Sequence, residues 1–294
     1  MDLLSICIPT YNRKERLKEL LEKLCYYNKE MIKIIVIDNA STDGTDEMIK
    51  QFNNFNNILY FRNNENLGPD GNCLRIIEEG KKYSEYSLWL GDDDRVTQGF
   101  FVDIPKILIE EKPDLIMLNY KYYINSFFKR LIYSAKLKKQ ESTFERVIED
   151  FKNDYIETDF RKIYEKYYNK FTFGTLVVKN NILKTEKAEK YMGTFHLYVG
   201  AILEAMADKY KKKGAVKLYI TKKTYLVWGK GEKSYALDDK LNYGMGRFYA
   251  LLPQVIFDIG KSRIEKQYEN KEISEAKWKG FIYELERRNI VRGD

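Results

Sequence analysis

The first hundred residues alternate between short apolar runs and longer segments whose apolar residues recur at helical spacing. The apolar runs predict buried strands at residues 3–9, 33–38, 58–61 and 87–91. The segments between these runs predict helices at residues 13–26, 41–52 and 71–82. Because alternating strands and helices form βαβ units, we predict an α/β fold with a mostly parallel sheet flanked by helices.

The pattern changes in the second half of the chain. Residues 121–170 are basic and aromatic and predict mostly helix, whereas residues 173–178 and part of residues 216–225 predict further strands. From residue 241 onward, Leu, Ile and Phe recur on one face of predicted helices. We therefore divide the chain into residues 1–120, residues 121–235 and a C-terminal helical extension at residues 236–294.

Polar residues follow the predicted strands at the point where each strand ends. Thr10 and Tyr11 follow the first strand, Asp38 ends the second, and the aspartates at 92–94 follow the fourth. In parallel sheets, ligands bind beyond the carboxyl ends of the strands. These three clusters are therefore expected to converge on one site at one edge of the sheet.

The three consecutive aspartates Asp92, Asp93 and Asp94 are candidates for a metal site. Neighbouring carboxylates repel one another, and they stay ionised most easily beside a divalent cation such as Mg²⁺ or Mn²⁺. Such a cation can also bridge the two phosphates of a nucleotide diphosphate. The alternative is an acidic turn or a helix cap, since Asp favours both.

Two further features suit a nucleotide ligand. Asp38 could accept a hydrogen bond from the N–H of a base edge, or it could form a cap or Asx-turn that opens the next helix. Residues 63–72 are rich in Asn and Gly, and Gly68 permits close approach of the backbone to a ligand. The helix that follows favours negative charge at its start. A plain surface loop is the alternative for this segment.

Charge and cysteine content narrow the class of partner. The net charge of +7 suits an anionic partner such as a nucleotide diphosphate or a lipid phosphate. No nucleic-acid-binding motif accompanies it, so we expect no nucleic-acid partner. Cys7, Cys25 and Cys73 lack paired spacing, and no apolar run approaches the ~20 residues that span a bilayer. We expect a cytoplasmic protein, either soluble or at the inner face of the membrane.

Four motifs, taken in order, resemble those of the family-2 glycosyltransferases, which have the Rossmann-like GT-A fold. The motifs are PTYNR, VIDNASTDGT, NENLGPDGN and LWLGDDD, all within residues 3–105. The resemblance implies that a nucleotide-sugar donor binds here, with its nucleoside held by the first motif and Asp38. The implied donor-site residues are Pro9, Thr10, Tyr11, Arg13, Asp38, Asn66, Gly68, Asp92 and Asp93.

The aspartate motif departs from the common form of that family in one position. The family usually has an aspartate one residue earlier, where this chain has Gly91. The register of the metal motif is therefore open, and we favour Asp94 as the ligand, with Asp92 next. The GDDD form is similar to family members that assemble bacterial surface polysaccharides.

A catalytic base is expected in the second half of the chain. Inverting members of the family use a carboxylate there, and the corresponding stretch of this chain contains His196, the only histidine. His196 could be the base or could touch the diphosphate, and a structural role before an apolar helix is the alternative. Glu204 and Asp159 are weaker candidates. We take His196 and Asp94 as the catalytic residues.

Two basic segments could contact the donor and the acceptor. Residues 228–235 resemble the mobile loop that closes over the diphosphate in this family, which implies that Lys233 contacts phosphate. An ordinary solvated loop is the alternative. Residues 121–139 suit an interfacial helix that contacts a membrane or a lipid-linked acceptor, but an amphipathic helix packed on the domain fits equally.

The resemblance thus implies a specific reaction. The enzyme would move a sugar from a nucleotide diphosphate sugar, UDP being favoured by Asp38, to a hydroxyl of a glycan or lipid-linked acceptor, with inversion and a divalent metal. Surface polysaccharide synthesis is the expected setting. One alternative is a sugar-nucleotide pyrophosphorylase, although PTYNRKE is not its Gly-rich, Arg-containing loop. Another is a non-catalytic module that binds a nucleotide sugar or glycan on the same fold.

Overall fold

The computed structural model describes residues 1–27, 32–122, 153–228 and 239–291. Nine strands in these ranges form one sheet with the order β3-β2-β1-β4-β8-β6-β9-β5, and β7 pairs with β9 outside that path. The strands are β1 (Asp2–Thr10), β2 (Ile32–Asp38), β3 (Ile58–Arg62), β4 (Ser84–Trp89), β5 (Arg95–Val96), β6 (Leu115–Tyr122), β7 (Tyr155–Glu157), β8 (Leu176–Lys179) and β9 (Leu218–Trp228).

Helices cover both faces of this sheet within the described ranges. They are α1 (Lys14–Tyr27), α2 (Thr45–Ile49), α3 (Gly68–Tyr83), α4 (Phe100–Glu111), α5 (Phe160–Tyr167), α6 (Thr185–Ala188), α7 (Leu197–Lys213), α8 (Asp239–Ala250), α9 (Gln254–Glu269) and α10 (Glu275–Val291). None of them is long and apolar enough to cross a membrane.

The N-terminal half contains the parallel part that the sequence pattern predicts. β1 pairs in parallel with β2 and with β4, and β2 pairs in parallel with β3. Alternation along β1 explains why both faces are covered. Leu4, Ile6 and Ile8 point into one core together with α1, α2 and α4. Cys7 points into the other core, which contains α3, α5 and α7 to α10.

The remaining strands make the sheet mixed. β8 is antiparallel to both β4 and β6, whereas β6 and β9 form another parallel pair. The parallel pairings are the longest in the sheet, so the expected mostly parallel α/β fold with helices at the C-terminal end is confirmed. β8 matches the strand predicted at residues 173–178, and β9 contains the one predicted within residues 216–225.

Two expectations from the hydrophobic pattern were incomplete or wrong. The sequence pattern did not predict α4 and β6, which fill the region between the aspartates and residue 122. The expectation of mostly helix at 121–170 was wrong for residues 155–157, which form β7 because they pair with β9. Residues 123–152 lie outside the described part of the chain, and so does most of the proposed interfacial helix.

The C-terminal helices pack closely because glycines line their contact. A Cβ atom built on Gly246 of α8 would lie 1.8 Å from the carbonyl oxygen of Lys277 in α10. A Cβ on Gly280 of α10 would lie 2.0 Å from the carbonyl oxygen of Tyr243 in α8. Beside this contact, Arg247 forms a 2.8 Å ion pair with Glu284, which is fully buried. The extension therefore packs tightly on itself as well as on the sheet.

Candidate functional site

Three polar motifs lie at one edge of the sheet because their strands run parallel. In the register of the sheet, Thr10 at the end of β1 lies opposite Asp38 at the end of β2. β4 pairs with the other side of β1 and ends at Trp89, shortly before the aspartates. The strand order therefore brings together residues that are up to 82 positions apart in the chain.

Arg13 and Thr10 hold Asp92 directly. The Thr10 hydroxyl donates a 3.0 Å hydrogen bond to one oxygen of Asp92, and Arg13 donates a 2.9 Å hydrogen bond to the other. Asp92 is buried, and burial raises the pKa of its carboxyl, while the Arg13 charge acts in the opposite direction. Asp93 lies closer to solvent and faces Arg16 at 3.5 Å. The first and last motifs are thus joined by charge and hydrogen bonds.

The Asp94 carboxylate lies against two glycines. A Cβ atom on either Gly91 or Gly174 would lie 2.9 Å from Oδ2 of Asp94, so both positions leave room for the carboxylate. Gly174 has a φ of +88°, a conformation that favours glycine. Within the described residues, no group of three or more His, Cys, Asp or Glu side chains is placed to hold a metal. Asp92 and Asp94 therefore do not form such a cluster.

Asp38 is completely buried and already has several partners. One oxygen accepts a 2.9 Å hydrogen bond from the Ser41 amide, and the other accepts a 2.6 Å hydrogen bond from the Tyr60 hydroxyl. The Arg62 guanidinium lies 3.4 Å from the second oxygen. The Ser41 contact is the local turn that the sequence offered as the alternative role of Asp38. A base edge would have to use the remaining lone pairs of this carboxylate.

A network of asparagines shapes the loop before α3. Asn39 donates a 2.7 Å hydrogen bond from its side chain to Asn66, and its own amide oxygen accepts a 2.9 Å bond from the Leu67 backbone. The Gly68 backbone amide donates to Asn66 at 2.9 Å. Gly68 has a φ of +71° and nothing within 4 Å of a Cβ position, so a ligand could approach the backbone there.

His196 directly precedes α7 and is partly buried. Its ring centroid lies 5.4 Å from that of Phe248 in α8, and one ring nitrogen lies 3.2 Å from the carbonyl oxygen of Thr194. Burial lowers the pKa of His196 below its ordinary value of 6.5. A neutral imidazole at neutral pH can accept a proton, which a general base requires.

The two weaker base candidates have structural partners. Glu204 is buried in α7 and contacts Lys190, while the Tyr191 hydroxyl donates to it at 3.1 Å. Asp159 caps α5 by accepting a 2.9 Å hydrogen bond from the Arg161 amide. Neither contact involves the edge of the sheet where the motifs converge.

Pro9 and Tyr11 are the other predicted site residues at the end of β1. Pro9 is half-buried at the end of β1, and the Tyr11 side chain, 44% exposed, faces solvent beside the motifs. Such a ring is available to a planar ligand. Lys233 and most of the predicted closing loop lie outside the described residues.

Sequence reasoning missed three residues that structure this site. Tyr60 and Arg62 contact Asp38 from β3, and Asp70 accepts a 3.0 Å hydrogen bond from the Phe195 amide beside His196. The alternation of Tyr60 and Arg62 along a strand next to β2 could have indicated the first pair. No local pattern could have indicated Asp70, because its partner lies 125 residues away.

Comparison with known families covers the part of the chain that contains the motifs. The family model described as Glycosyl transferase family 2 matches residues 5–173. The abequosyltransferase RfbV of Salmonella typhimurium is 47% identical over 100 residues, which is 33% of this chain and 29% of that protein. The poly(ribitol-phosphate) beta-N-acetylglucosaminyltransferase TarS of Staphylococcus aureus is 25% identical over 119 residues, covering 40% of this chain and 21% of that protein. This chain therefore matches less than a third of the length of either relative.

Solved structures share the fold at low sequence identity. TarS residues 1–349 in complex with UDP-GlcNAc superimpose with a TM-score of 0.57 at 18% identity, covering 85% of this chain and 66% of that one. A mannosyltransferase from Pyrobaculum calidifontis, in complex with GDP-Man and Mn²⁺, gives a TM-score of 0.52 at 11% identity, covering 88% of this chain and 68% of that one. The shared fold is GT-A.

Proposed function

This chain belongs to glycosyl transferase family 2, and we propose that it transfers a sugar from a nucleotide diphosphate sugar to a hydroxyl of a glycan or lipid-linked acceptor. The observation that carries the proposal is the contact of Arg13 and Thr10 with Asp92, which joins the first and last motifs at the carboxyl edge of the sheet. Those motifs lie within the residues that the family model matches.

The donor is proposed to lie along this edge. Asp38, Tyr11 and Thr10 would receive the nucleoside, and the asparagine-bounded loop at Asn66 and Gly68 would lie beside the diphosphate. The N-terminus of α3 favours a negatively charged group there, because the first backbone N–H groups of a helix have no acceptors within the helix. A uridine nucleotide is the first choice, and the UDP-GlcNAc bound to the structurally similar TarS supports it.

A divalent metal fits the chemistry of the aspartates. Carboxylate oxygens are the ligands that Mg²⁺ and Mn²⁺ prefer. We take Asp94 as the ligand and Asp92 as the next candidate, in keeping with the register proposed for the motif. When bound, the metal would neutralise charge on the departing diphosphate. The Mn²⁺ bound to the mannosyltransferase of the same fold supports the proposal of a divalent metal.

His196 is proposed to remove the proton from the acceptor hydroxyl as that oxygen attacks the anomeric carbon. Its lowered pKa keeps the imidazole neutral and able to accept a proton at neutral pH. Attack from the face opposite the diphosphate would invert the anomeric centre. We further propose that the acceptor belongs to surface polysaccharide synthesis and reaches the enzyme at the cytoplasmic side of a membrane.

Thermal unfolding with a panel of nucleoside diphosphates, with and without Mn²⁺, tests the proposal. A ligand at ~100 times its dissociation constant stabilises the native state by about 2.7 kcal/mol. We expect a metal-dependent shift with one nucleotide, followed by slow hydrolysis of the corresponding nucleotide sugar. If no nucleotide shifts the unfolding temperature, the donor site is wrong. Binding without hydrolysis or transfer would instead identify a non-catalytic module.

A further inference from the structure

The carboxylate of Asp70 connects two parts of the proposed site. One is the loop at Asn66 and Gly68, here called the donor loop, and the other is the turn that carries His196. Asp70 lies in the first turn of α3, two residues after Gly68, and is only 7% exposed. Its Oδ2 accepts a 3.0 Å hydrogen bond from the Phe195 amide, the residue just before His196. Burial raises the pKa of the Asp70 carboxyl. The backbone amides of the turn act in the opposite direction by stabilising the carboxylate, and they include those of Gly193, Thr194 and Leu197.

The Asp70 carboxylate also lies at the start of α7, which has no side-chain cap of its own. His196 is the N-cap residue of α7, and its side chain makes no capping hydrogen bond. The first backbone amides of a helix need acceptors from outside the helix. Asp70 faces the amide of Leu197, the first residue of α7, and this amide stabilises the charged form of the carboxyl. The start of α7 therefore depends on a side chain from residues 1–120, the part of the chain that contains the donor motifs.

The turn itself has a backbone conformation that needs support. Gly193 has a φ of +76°, and Phe195 has a φ of +61°, which is uncommon for a residue with a side chain. Such conformations persist where surrounding contacts determine them, and they cluster at functional sites. The acceptor supplied by Asp70 is one of those contacts.

Helix α8 supports the turn from the other side. A Cβ atom on Gly244 would lie 2.8 Å from the carbonyl oxygen of Gly193 and 3.1 Å from the Cα of Thr194. The backbone of α8 thus lies directly against the turn. Phe248, one helical turn further along α8, contacts the His196 ring. The turn is held between α3 and α8, and the direction of the imidazole follows from both.

We propose that Asp70 is a positioning residue for His196. By holding the turn at residues 193–197, Asp70 fixes the imidazole relative to the donor loop, which lies just before Asp70 in the chain. The proposal rests on the proposed function, because it treats His196 as the base. It predicts that loss of the Asp70 carboxylate lowers turnover while nucleotide binding is retained. Asp70 touches no reacting atom and acts only through the turn at residues 193–197.

Asp70→Asn tests the proposal with little change of volume, and Asp103→Asn is the matched control. Asp103 also lies in the first turn of a helix, α4, on the opposite face of the sheet, and it contacts Lys223 and Tyr225. Each protein is tested for UDP affinity with Mn²⁺ and for turnover of UDP-GlcNAc. If another nucleotide gives the largest shift in the panel, that nucleotide and its sugar are used. Since the chain has one histidine, its imidazole resonance in a ¹H–¹⁵N correlation spectrum reports on His196 alone.

Asp70→Asn should lower kcat at least about tenfold, since displacement of a catalytic group by ~1 Å can cost a hundredfold. Its nucleotide affinity should match the wild type, and its imidazole resonance should shift. Asp103→Asn should resemble the wild type in all three measurements. An Asp70→Asn protein with wild-type kcat and an unchanged resonance would overturn the proposal.

Two further outcomes are also decisive. If Asp70→Asn does not fold, Asp70→Glu keeps the charge but displaces it by one methylene. A lowered kcat with retained nucleotide affinity then supports positioning, and a wild-type kcat refutes it. If the wild-type protein neither binds nor turns over any nucleotide sugar, the proposed function fails. In that case the imidazole resonance of Asp70→Asn still shows whether Asp70 holds the turn, and an unchanged resonance refutes that role.

Discussion

The guanidinium of Arg13 donates a 2.9 Å hydrogen bond to Asp92, although the two residues are 79 positions apart in the chain. Arg13 lies between β1 and α1, and Asp92 follows β4, so the contact depends on the parallel pairing of these strands. Asp92 is 4% exposed, and its side chain therefore relies on protein partners rather than on water. The stability of this edge and the binding of a donor are expected to depend on the same contact.

Arg13→Ala should destabilise the protein and weaken nucleotide binding together. It leaves the buried Asp92 without its cationic partner, a loss of about 1–3 kcal/mol for a buried polar group. Because the Arg13 side chain is 33% exposed, solvent screens part of the interaction and the lower end of that range is expected. Urea unfolding with and without UDP and Mn²⁺ measures both effects.

The control for Arg13→Ala is a charge pair on the surface. Lys50 and Glu47 lie 2.6 Å apart, and both side chains are well exposed. Lys50→Ala should change the free energy of unfolding by no more than about 0.5 kcal/mol and leave nucleotide binding intact. Equal effects of the two substitutions would show that the Arg13 contact has no special role.

Asp94→Asn should remove the dependence of nucleotide binding on Mn²⁺. The substitution keeps the shape of the side chain between Gly91 and Gly174 but removes the charge that a hard cation prefers. Titration calorimetry with UDP, with and without Mn²⁺, measures the difference. Asp93→Asn serves as the comparison, because Asp93 is more exposed than Asp94 and lies 3.5 Å from the Arg16 guanidinium. If Asp93→Asn loses the metal effect and Asp94→Asn keeps it, the proposed register of the motif is wrong.

His196→Gln should flatten the pH dependence of stability below pH 6.5. Burial lowers the pKa of His196 in the folded protein below the ordinary value of 6.5. As the pH falls through 6.5, the unfolded chain therefore takes up a proton before the folded protein does, and the free energy of unfolding decreases. The slope from one group is at most about 1.4 kcal/mol per pH unit.

Urea unfolding of both proteins between pH 7 and pH 5 gives this comparison, because the carboxylates contribute equally to the two curves. The activity of the wild-type enzyme should also decline within that interval as the base becomes protonated. Parallel stability curves would mean that His196 titrates as it does in the unfolded chain. A rate that stays level down to pH 5 would argue against its role as the base.

Gly244→Ala should destabilise the protein and slow turnover. Its Cβ would lie 2.8 Å from the carbonyl oxygen of Gly193, and backbone must move to relieve such a contact. Overpacking of this kind costs about 1–3 kcal/mol. Gly99→Ala is the control, because its Cβ would crowd only the flexible end of Lys223 and would lie at an ordinary contact distance of 3.6 Å from Asp103. Thermal unfolding and kcat are measured for both, and equal losses would contradict the role assigned to the α8 contact.

The hydrophobic pattern predicted those parts of the fold in which neighbouring elements of the chain also pair in space. β1 to β4 and the helices between them follow from apolar runs separated by helical spacing. β7 has only three residues, and two of its side chains are exposed, so it has no apolar run to detect. It is a strand because β9 offers an edge, and no local pattern reports that.

In the candidate site, too, some features could be predicted from the sequence and others could not. The motifs at Thr10, Asp38 and Asp92 could be predicted to converge, because Thr10 and Asp38 end neighbouring parallel strands and Asp92 closely follows a third. Their partners could not be predicted. Asp70 faces Phe195 because α3 and α7 cover the same face of the sheet, a relationship fixed by the packing of two distant helices.

The insertion of β8 between β4 and β6 has a consequence for how the chain acquires its structure during synthesis. Among the described strands, β3, β2, β1 and β4 pair only with one another until β8 is synthesised. Once the first ninety residues have left the ribosome, these four strands are therefore able to assemble into a sheet. β6 is different, because its two neighbours are β8 and β9, which are made much later. Contacts between distant segments form slowly. We therefore expect the nascent protein to contain an assembled N-terminal sheet with an unpaired β4 edge until β8 pairs with it. Chaperones are expected to bind at that edge first, and misfolding is expected to begin there.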